Sequence, residues 1–299
     1  MASKKCIRVA IIGSPNVGKS SLLNRILSFK ASIVSPKPHT TRNNTLGHAN
    51  FGNTQIVFTD TPGYIKSGTG VWAEHLIEQL STAIEDVDVN LVLLDATRTN
   101  ALGTETILKA IANDPKTLVA INKIDIRARG KLYTVVQDII DMGYIQTVYL
   151  ISARTGQGVE HLIQNICDLA PESEWMFQSE VEMQPKQVYA AECVREKLMY
   201  MLNDEIPFQL WTRPTEWVFE KHVWKVRVDI VVTKNAHKRI VIGKAGNILK
   251  NVGIAARTEL ESIWGLGHLF LNVVIETDWM NSRDYISAIC AGQITSRPE

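Results

Sequence analysis

The first 170 residues alternate short apolar, β-branched runs with longer segments in which apolar residues recur at helical spacing. The strand-sized runs are Ile7–Ile12, Gln55–Thr59, Asn90–Leu94, Leu118–Ile121 and Val148–Ile151. The helical segments are Ser21–Leu27, Trp72–Glu85, Thr104–Ala112, Leu132–Asp141 and Val159–Leu169. A loop rich in Pro, His and Thr and a further strand, Thr45–Phe51, interrupt the alternation. This alternation predicts an α/β fold whose mostly parallel sheet carries helices on both faces.

The pattern changes at Ala170-Pro171, where proline ends the last helix of this half. The stretch that follows, up to Pro185, is acidic and contains no basic residue, and we interpret it as a linker. Beyond it we predict helix Gln187–Leu202, strands Glu216–Glu220 and Val223–Val232, apolar stretch Arg239–Ile242, a helix to about Ile263 and strand Leu269–Ile275. The chain therefore divides into a first domain (1–170), a linker (171–185) and a smaller α+β domain (186–299).

Composition excludes several classes of protein. The chain has 299 residues, of which 45% are hydrophobic and 21% charged, and its formal net charge is +1, so it is not globally disordered. No apolar run approaches the roughly 18 residues of a membrane-spanning helix, and no secretory signal is expected. The four cysteines are far apart and form no C-x-x-C pair, which argues against a disulfide framework or zinc site. These features fit a cytoplasmic location.

The segment Gly13-Ser14-Pro15-Asn16-Val17-Gly18-Lys19-Ser20 matches the phosphate-binding pattern G-x-x-x-x-G-K-[ST]. It follows a predicted strand and precedes the helix that begins at Ser21. Its glycines let backbone N–H groups curl around phosphates, and the helix N-terminus adds a positive dipole. In such a loop Lys19 reaches the β- and γ-phosphate oxygens, and the Ser20 hydroxyl ligates Mg²⁺. The segment therefore predicts a nucleotide site.

Asp60-Thr61-Pro62-Gly63 lies at the end of a predicted strand, where P-loop NTPases carry a second group on the metal side. We predict that Asp60 holds Mg²⁺ through a water and that the N–H of Gly63 senses the γ-phosphate. Taken alone, Asp60 could equally be a turn-initiating residue before Pro-Gly. Its position after the phosphate loop favours the metal role.

Asn122-Lys123-Ile124-Asp125 follows another buried strand. The Asp125 carboxylate can accept from both the ring N–H and the exocyclic amine of guanine, a pair of donors that adenine lacks. Ser152-Ala153, after the last strand, would bring a backbone N–H to guanine O6. A capped loop is the alternative for these residues. The combination predicts GTP and GDP as ligands rather than ATP, and it argues against a metabolic kinase.

Together these segments resemble the five motifs of the translation-factor-class P-loop GTPases. Pro38-His39-Thr40-Thr41-Arg42 is similar to the first switch of the Era and Der group within that class. The resemblance implies that Thr41 joins Ser20 and Asp60 on Mg²⁺ when the γ-phosphate is present, with Thr40 as the alternative. It also implies that loss of the γ-phosphate releases both switch segments.

Hydrolysis is expected to be slow without help. Tyr64 follows Gly63 at the position where Ras-like GTPases carry the glutamine that orients the attacking water. The catalytic groups would be Lys19, Asn16, Thr41 and Gly63, with the transition-state charge offset by K⁺ or by a partner. In similar GTPases an asparagine at the position of Asn16 helps to hold K⁺; the alternative is a tight-turn residue.

In the second domain, Gly243-Lys244-Ala245-Gly246 lies within residues 230–258, which contain several basic side chains and no acidic one. The surrounding order of elements resembles a type II KH domain, whose G-x-x-G loop clamps about four single-stranded nucleotides. The resemblance implies RNA contacts from Ile242, Gly243, Lys244, Ala245, Gly246, Lys238, Arg239 and Lys250. The apolar residues Ile240, Ile242, Ile248 and Val252 would line the groove, or equally belong to the core. The alternative is a protein-binding module.

A GTPase domain followed by one KH domain is the architecture of the Era family, and the resemblance covers essentially the whole chain, including Ala191–Leu198 and Ile240–Lys244. Ala245 departs from that family's usual glycine. The resemblance implies a monomeric ribosome-assembly GTPase that binds 16S rRNA near its 3′ end, acts on the 30S subunit and contacts the inner membrane peripherally. The alternative is a GTP switch with a protein or membrane-surface partner, whose C-terminal unit does not bind RNA.

Overall fold

A six-stranded sheet forms the centre of the first half of the chain in the computed structural model. Its strands are β1 (Lys5–Gly13), β2 (Thr45–Phe51), β3 (Thr54–Asp60), β4 (Val89–Asp95), β5 (Thr117–Asn122) and β6 (Val148–Leu150). The order across the sheet is β2-β3-β1-β4-β5-β6. Strand β2 runs antiparallel to β3, and all other neighbours are parallel. The predicted mostly parallel sheet is confirmed.

The structure describes residues 3–38, 40–63, 71–85, 87–98, 109, 114–143, 147–178, 184–277, 279–281 and 286. These form two compact units, one built mainly from residues up to 178 and the other mainly from residue 184 onward. The predicted helix Thr104–Ala112, apart from Lys109, lies outside the described residues, as do Tyr64 and the rest of the second switch to Gly70. No helix within the described ranges is both long and apolar enough to span a bilayer.

Helices pack on both faces of the six-stranded sheet. They are α1 (Lys19–Leu27), α2 (Val71–Glu85), α3 (Arg129–Asp141) and α4 (Val159–Leu169). Successive residues of a strand point to opposite faces, so Val9 and Ile11 of β1 pack in the cluster with α1 and α4, whereas Ala10 and Ile12 pack in the cluster with α2 and α3. Because the carboxyl ends of parallel strands meet at one edge, the residues that follow β1, β3, β4 and β5 converge there.

The second unit is a small α+β fold. Its elements are α5 (Lys186–Met201), β7 (Leu210–Glu220), β8 (Val223–Val232), α6 (Asn235–Ile242), α7 (Asn247–Trp264) and β9 (Gly267–Ile275). The three strands lie in the order β7-β8-β9, with β7 antiparallel and β9 parallel to β8. Apolar residues of α5 and α7 pack with the sheet in one core cluster.

Strand β7 is longer than predicted: it begins at Leu210 rather than Glu216. Pro214 lies inside it, and the pairing with β8 shifts register between Pro214 and Glu216. Proline is tolerated at a bulge on an edge strand because the missing N–H need not pair there. The apolar stretch Arg239–Ile242 is the end of a helix, α6, that begins at Asn235.

The described part of the acidic stretch, residues 171–178, is bound to the first unit. The backbone N–H of Cys6 donates to the carbonyl of Pro171 at 3.3 Å, and that of Ser173 donates to the carbonyl of Lys4 at 3.0 Å. The indole N–H of Trp175 donates to the carbonyl of Asn53 at 3.1 Å. We call residues 171–178 the strap. The proposed domain boundaries stay predictions, but this part of the expected linker is held by the sheet.

We predict that Gly267→Ala destabilises the second unit by about 1–3 kcal/mol or more, because a Cβ there would overpack the core. Such a Cβ would lie 2.0 Å from the ring of Trp224, which is fully buried and donates to the carbonyl of Gly265 at 2.8 Å. The control is Gly130→Ala, where a Cβ would meet no atom of the described residues within 4 Å outside its own helix. Urea unfolding followed by tryptophan fluorescence measures both, and equal midpoints would contradict the prediction.

Candidate nucleotide-binding site

The loop between β1 and α1 depends on its glycines. Gly13 and Gly18 have φ values of 155° and 102°, a region that side chains rarely adopt. A Cβ on Gly13 would lie 2.5 Å from the carbonyl oxygen of Leu93, and one on Gly18 would lie 2.4 Å from Nδ2 of Asn122. Close approach by Leu93 of β4 and by Asn122 at the end of β5 therefore excludes side chains at both positions.

Lys19 is buried inside this loop. Its ammonium donates to the carbonyls of Gly13 and Ser14 at 3.1 and 3.2 Å, so it spans the loop. Burial lowers the pKa of Lys19 to about 8, opposed by the nearby charge of Asp60. A cation held in this way favours an anionic ligand that replaces its lost solvation, as a polyphosphate does.

Three oxygen-bearing side chains meet beside Lys19. Ser20 Oγ donates to Asp60 Oδ2 at 2.6 Å and lies 2.8 Å from Thr41 Oγ1, which is 3.5 Å from the same carboxylate oxygen. Asp60 is fully buried, and its Oδ1 has no hydrogen-bond partner among the described residues. Burial raises the pKa of Asp60, against the opposing effect of Lys19. A cluster of hard oxygen ligands with an unsatisfied buried carboxylate oxygen fits Mg²⁺.

The residues after Asp60 also contact the phosphate-loop region. The Thr61 hydroxyl donates to the carbonyl of Ile11 at 2.7 Å, so it fixes the end of β3 against β1. A Cβ on Gly63 would lie 2.8 Å from the ring of Pro15. The backbone of Gly63 thus lies against the phosphate loop, in a position compatible with its expected role as a sensor of the γ-phosphate.

Asn122 and Lys123 tie the base-binding segment to the phosphate loop. Asn122 Nδ2 donates to the carbonyl of Val17 at 2.8 Å, and its Oδ1 accepts from the N–H of Ala153 at 2.9 Å. Lys123 donates to the carbonyl of Asn16 at 2.6 Å and to Asp95 Oδ2 at 2.8 Å. These two side chains therefore connect the phosphate loop to the segments after β5 and β6.

Asp125, the residue expected to recognise the base, is held by two partners. Its carboxylate accepts from Ser152 Oγ at 2.6 Å and forms an ion pair at 2.6 Å with Arg154, whose side chain is 74% exposed. The hydrogen bond from Ser152, helped by Arg154, lowers the pKa of Asp125. The carboxylate is therefore ionised at neutral pH, and guanine donors can take the place of the exposed arginine.

Sequence reasoning missed two residues that the structure adds to this site. Asp95 is the last residue of β4 and accepts a hydrogen bond from Lys123. Burial acts to raise the pKa of Asp95, but hydrogen bonds from Lys123 and Thr97 outweigh it and lower that pKa. Arg154 pairs with Asp125. Asp95 could have been found, since it ends a buried strand as Asp60 does. Arg154 carries no comparable signal.

One edge of the mostly parallel sheet carries a phosphate loop, a buried oxygen cluster and a segment whose carboxylate suits guanine. This combination defines a P-loop GTPase. A family model described as "50S ribosome-binding GTPase" matches residues 8–123. GTPase Era from Maricaulis maris is 33% identical, over 94% of this chain and 95% of the relative. GTPase Era from Caulobacter vibrioides (strain NA1000 / CB15N) is 35% identical, over 94% of each. The chain belongs to the GTPase Era family, and it is a GTPase.

Solved structures of Era agree with this assignment. Era in complex with MgGDPNP and nucleotides 1506–1542 of 16S ribosomal RNA has a TM-score of 0.89 and 34% identity, covering 96% of this chain and 98% of that one. A variant of Aquifex aeolicus Era bound to GDP and aluminium fluoride has a TM-score of 0.89 and 34% identity, with 95% and 98% coverage. The similarity therefore extends over both units.

We predict that Asp125→Asn exchanges base preference from guanine toward xanthine. The asparagine amide has an N–H₂ donor where the aspartate has a second acceptor oxygen. This donor opposes the 2-amino group of guanine, which is itself a donor, but it can donate to the 2-oxo group of xanthine. GTP affinity should fall by about 100-fold or more while XTP affinity rises. Asp125→Ala is the control that should weaken both. Fluorescent-nucleotide competition measures the affinities, and an unchanged GTP preference in Asp125→Asn would contradict the assignment.

Proposed function

We propose that this GTPase is a GTP/GDP switch that binds 16S rRNA near its 3′ end through a C-terminal KH domain and acts in maturation of the 30S subunit. The observation that carries the proposal is the similarity to Era bound to nucleotides 1506–1542 of 16S ribosomal RNA, which covers 96% of this chain, second unit included. The local geometry of the second unit supports it independently.

The order α5-β7-β8-α6-loop-α7-β9 agrees with a type II KH arrangement, and its loop is Gly243-Lys244-Ala245-Gly246. Gly243 has φ 75°, and a Cβ there would lie 2.7 Å from the Ile248 side chain. Gly246 also has φ 75° and precedes α7. Lys244 and Ala245 are exposed. A phosphodiester could approach this backbone closely, with Lys244 adding charge.

The surroundings of the loop supply both charge and apolar surface. Arg239 and Lys250 are exposed and Lys238 is half-buried. Ile240 is 45% exposed, and Ile242 and Ile248 are half-buried against the core, so these three remain available to bases. Val252 is fully buried. Of the two alternatives left open for Val252, groove or core, its burial agrees with the core.

Ala245 has φ 52°, in the left-handed region that favours glycine. The departure from the family's usual glycine therefore carries backbone strain at the loop. Its methyl group also adds bulk where a nucleotide backbone would pass. We infer that this loop binds RNA with a narrower range of accepted backbone geometries than a Gly-Lys-Gly-Gly loop.

The proposal includes Mg²⁺ held by Ser20, Thr41 and Asp60, which supplies positive charge against the β- and γ-phosphates when bound. It also includes K⁺ at Asn16. Asn16 has φ 63° and its carbonyl accepts from Lys123, so the tight-turn role is also present. The proposed protein is a cytoplasmic monomer. A membrane-surface or protein partner for the second unit is the competing function.

The strap could couple the nucleotide state of the first unit to RNA binding by the second unit. Strands β2 and β3 link Thr41 in the first switch to Asp60 at the metal site. The strap binds this hairpin: Phe177 stacks on His48 of β2 at 4.6 Å between centroids. Gln55 of β3 donates to the Phe177 carbonyl and accepts from its N–H, both at 2.9 Å. A shift of β2 with the first switch would thus be passed to the chain that leads to the second unit.

We predict that Lys244→Ala weakens binding of a 37-nucleotide RNA matching the 3′ end of 16S rRNA and lowers the slope of log affinity against log salt by about one, because one phosphate contact is lost. The matched control is Lys225→Ala, an exposed lysine on β8 of the same unit. Filter binding at several KCl concentrations measures the slopes. A flat salt profile for the unaltered protein, or equal losses in both variants, would favour the non-RNA alternative.

We predict that His48→Ala reduces the ratio of RNA affinities in the GTP-analogue and GDP states toward one, since it removes the ring stacked on the strap. Affinity for GTP itself should change less than about twofold, because His48 pairs with Val57, three residues along β3 from Asp60, a separation of about 10 Å. His161→Ala, which removes an edge contact to Tyr149, is the control. An unchanged ratio in His48→Ala would refute coupling through the strap.

A further inference from the structure

Arg25 has no role in the motifs described above, yet it reaches the base-binding loop from the phosphate-binding helix. It lies in the last turn of α1, whose first residues are Lys19 and Ser20. Its Nε donates to the carbonyl of Ala153 at 3.1 Å, and its Nη2 donates to the carbonyl of Arg154. The planar guanidinium therefore holds two successive carbonyls of one loop, a geometry that lysine cannot reproduce.

The orientation of this loop decides where its N–H groups point. The peptide between Ser152 and Ala153 is fixed by two bonds: its N–H donates to Asn122 Oδ1 at 2.9 Å, and its carbonyl accepts from the N–H of Gly156 at 2.8 Å. The next two carbonyls are the ones that Arg25 binds. In a trans peptide the C=O and N–H point in opposite directions, so holding a carbonyl also fixes the N–H of that peptide.

We propose that Arg25 is a positioning residue for recognition of the 6-oxo group of guanine. By holding the carbonyls of Ala153 and Arg154, it fixes the two peptides that carry the N–H groups of Arg154 and Thr155. The Thr155 N–H donates to Ser152 Oγ at 3.1 Å, so the N–H of Arg154 is the group that this support aims at the oxygen that distinguishes 6-oxopurines from other bases. This role of Arg25 rests on the proposed GTP site, and the 6-oxo group is the part of guanine whose recognition it supports. One rigid helix then carries both the phosphate ligands and the support of the base loop, about 9 Å apart along its axis.

The test separates base positioning from general support of the fold by changing the ligand as well as the protein. GDP and IDP both carry the 6-oxo group, whereas 2-aminopurine riboside 5′-diphosphate keeps the 2-amino group and lacks O6. For Arg25→Ala, affinity for GDP and IDP should fall about three- to tenfold, the range for loss of a hydrogen-bonded support. Affinity for the 2-aminopurine nucleotide should change less than about twofold. Isothermal titration measures all three.

Two further variants complete the design. Arg25→Lys keeps the positive charge but loses the planar guanidinium that binds two carbonyls. Its affinity for GDP should lie between that of Arg25→Ala and that of the unaltered protein. Arg8→Ala removes a partly exposed arginine of the same unit that pairs with Asp88 and should change none of the three affinities. Equal losses for all three nucleotides in Arg25→Ala, or no loss for any, would overturn the proposal. If Arg25→Ala unfolds, the same comparison with Arg25→Lys decides it.

Discussion

The nucleotide site is built around two opposite charges that are both buried, the ammonium of Lys19 and the carboxylate of Asp60. Removing such charges from water is costly, and their mutual attraction offsets only part of that cost. Lys19 is turned onto its own loop carbonyls, and one oxygen of Asp60 lacks a hydrogen-bond partner among the residues described. A triphosphate with Mg²⁺ would supply the missing charge on both sides. Thr41 lies in the same cluster, so the segment proposed as the first switch would respond to what fills it.

The base side is joined to this charged centre by a few long side chains. Asn122 and Lys123 bind the carbonyls of Val17 and Asn16, so the phosphate loop and the base segment hold each other in position. Arg25 adds a third link, from α1 to the loop after β6. Several short and separate segments of the chain are therefore joined into one site. On the opposite side, the β2-β3 hairpin carries the strap, so the same centre is connected to the chain that leaves the first unit.

Much of this could be predicted from the sequence because the signals are local. The α/β alternation, the glycines of the phosphate loop and the order of the three polar motifs each follow from neighbouring residues. Interactions between distant segments could not be predicted: the partners of Asp95, Arg25 and Arg154, and the attachment of the strap, exist only in the folded chain. The start of β7 at Leu210 could not be predicted, because a proline argues against the interior of a strand. In the structure a bulge accommodates Pro214. The burial of Val252 could not be predicted either, because apolar residues on α7 face either the core or the groove and periodicity alone does not separate them.

Filling the Lys19–Asp60 centre with a GTP analogue and Mg²⁺ should order the first switch, because Thr41 would then be held by the metal. Amide hydrogen exchange over residues 40–45 measures this ordering when the complex with Mg²⁺ and a non-hydrolysable GTP analogue is compared with the complex with GDP. Exchange should be slower by about tenfold or more with the GTP analogue. Equal exchange in the two complexes would show that the centre does not order this segment.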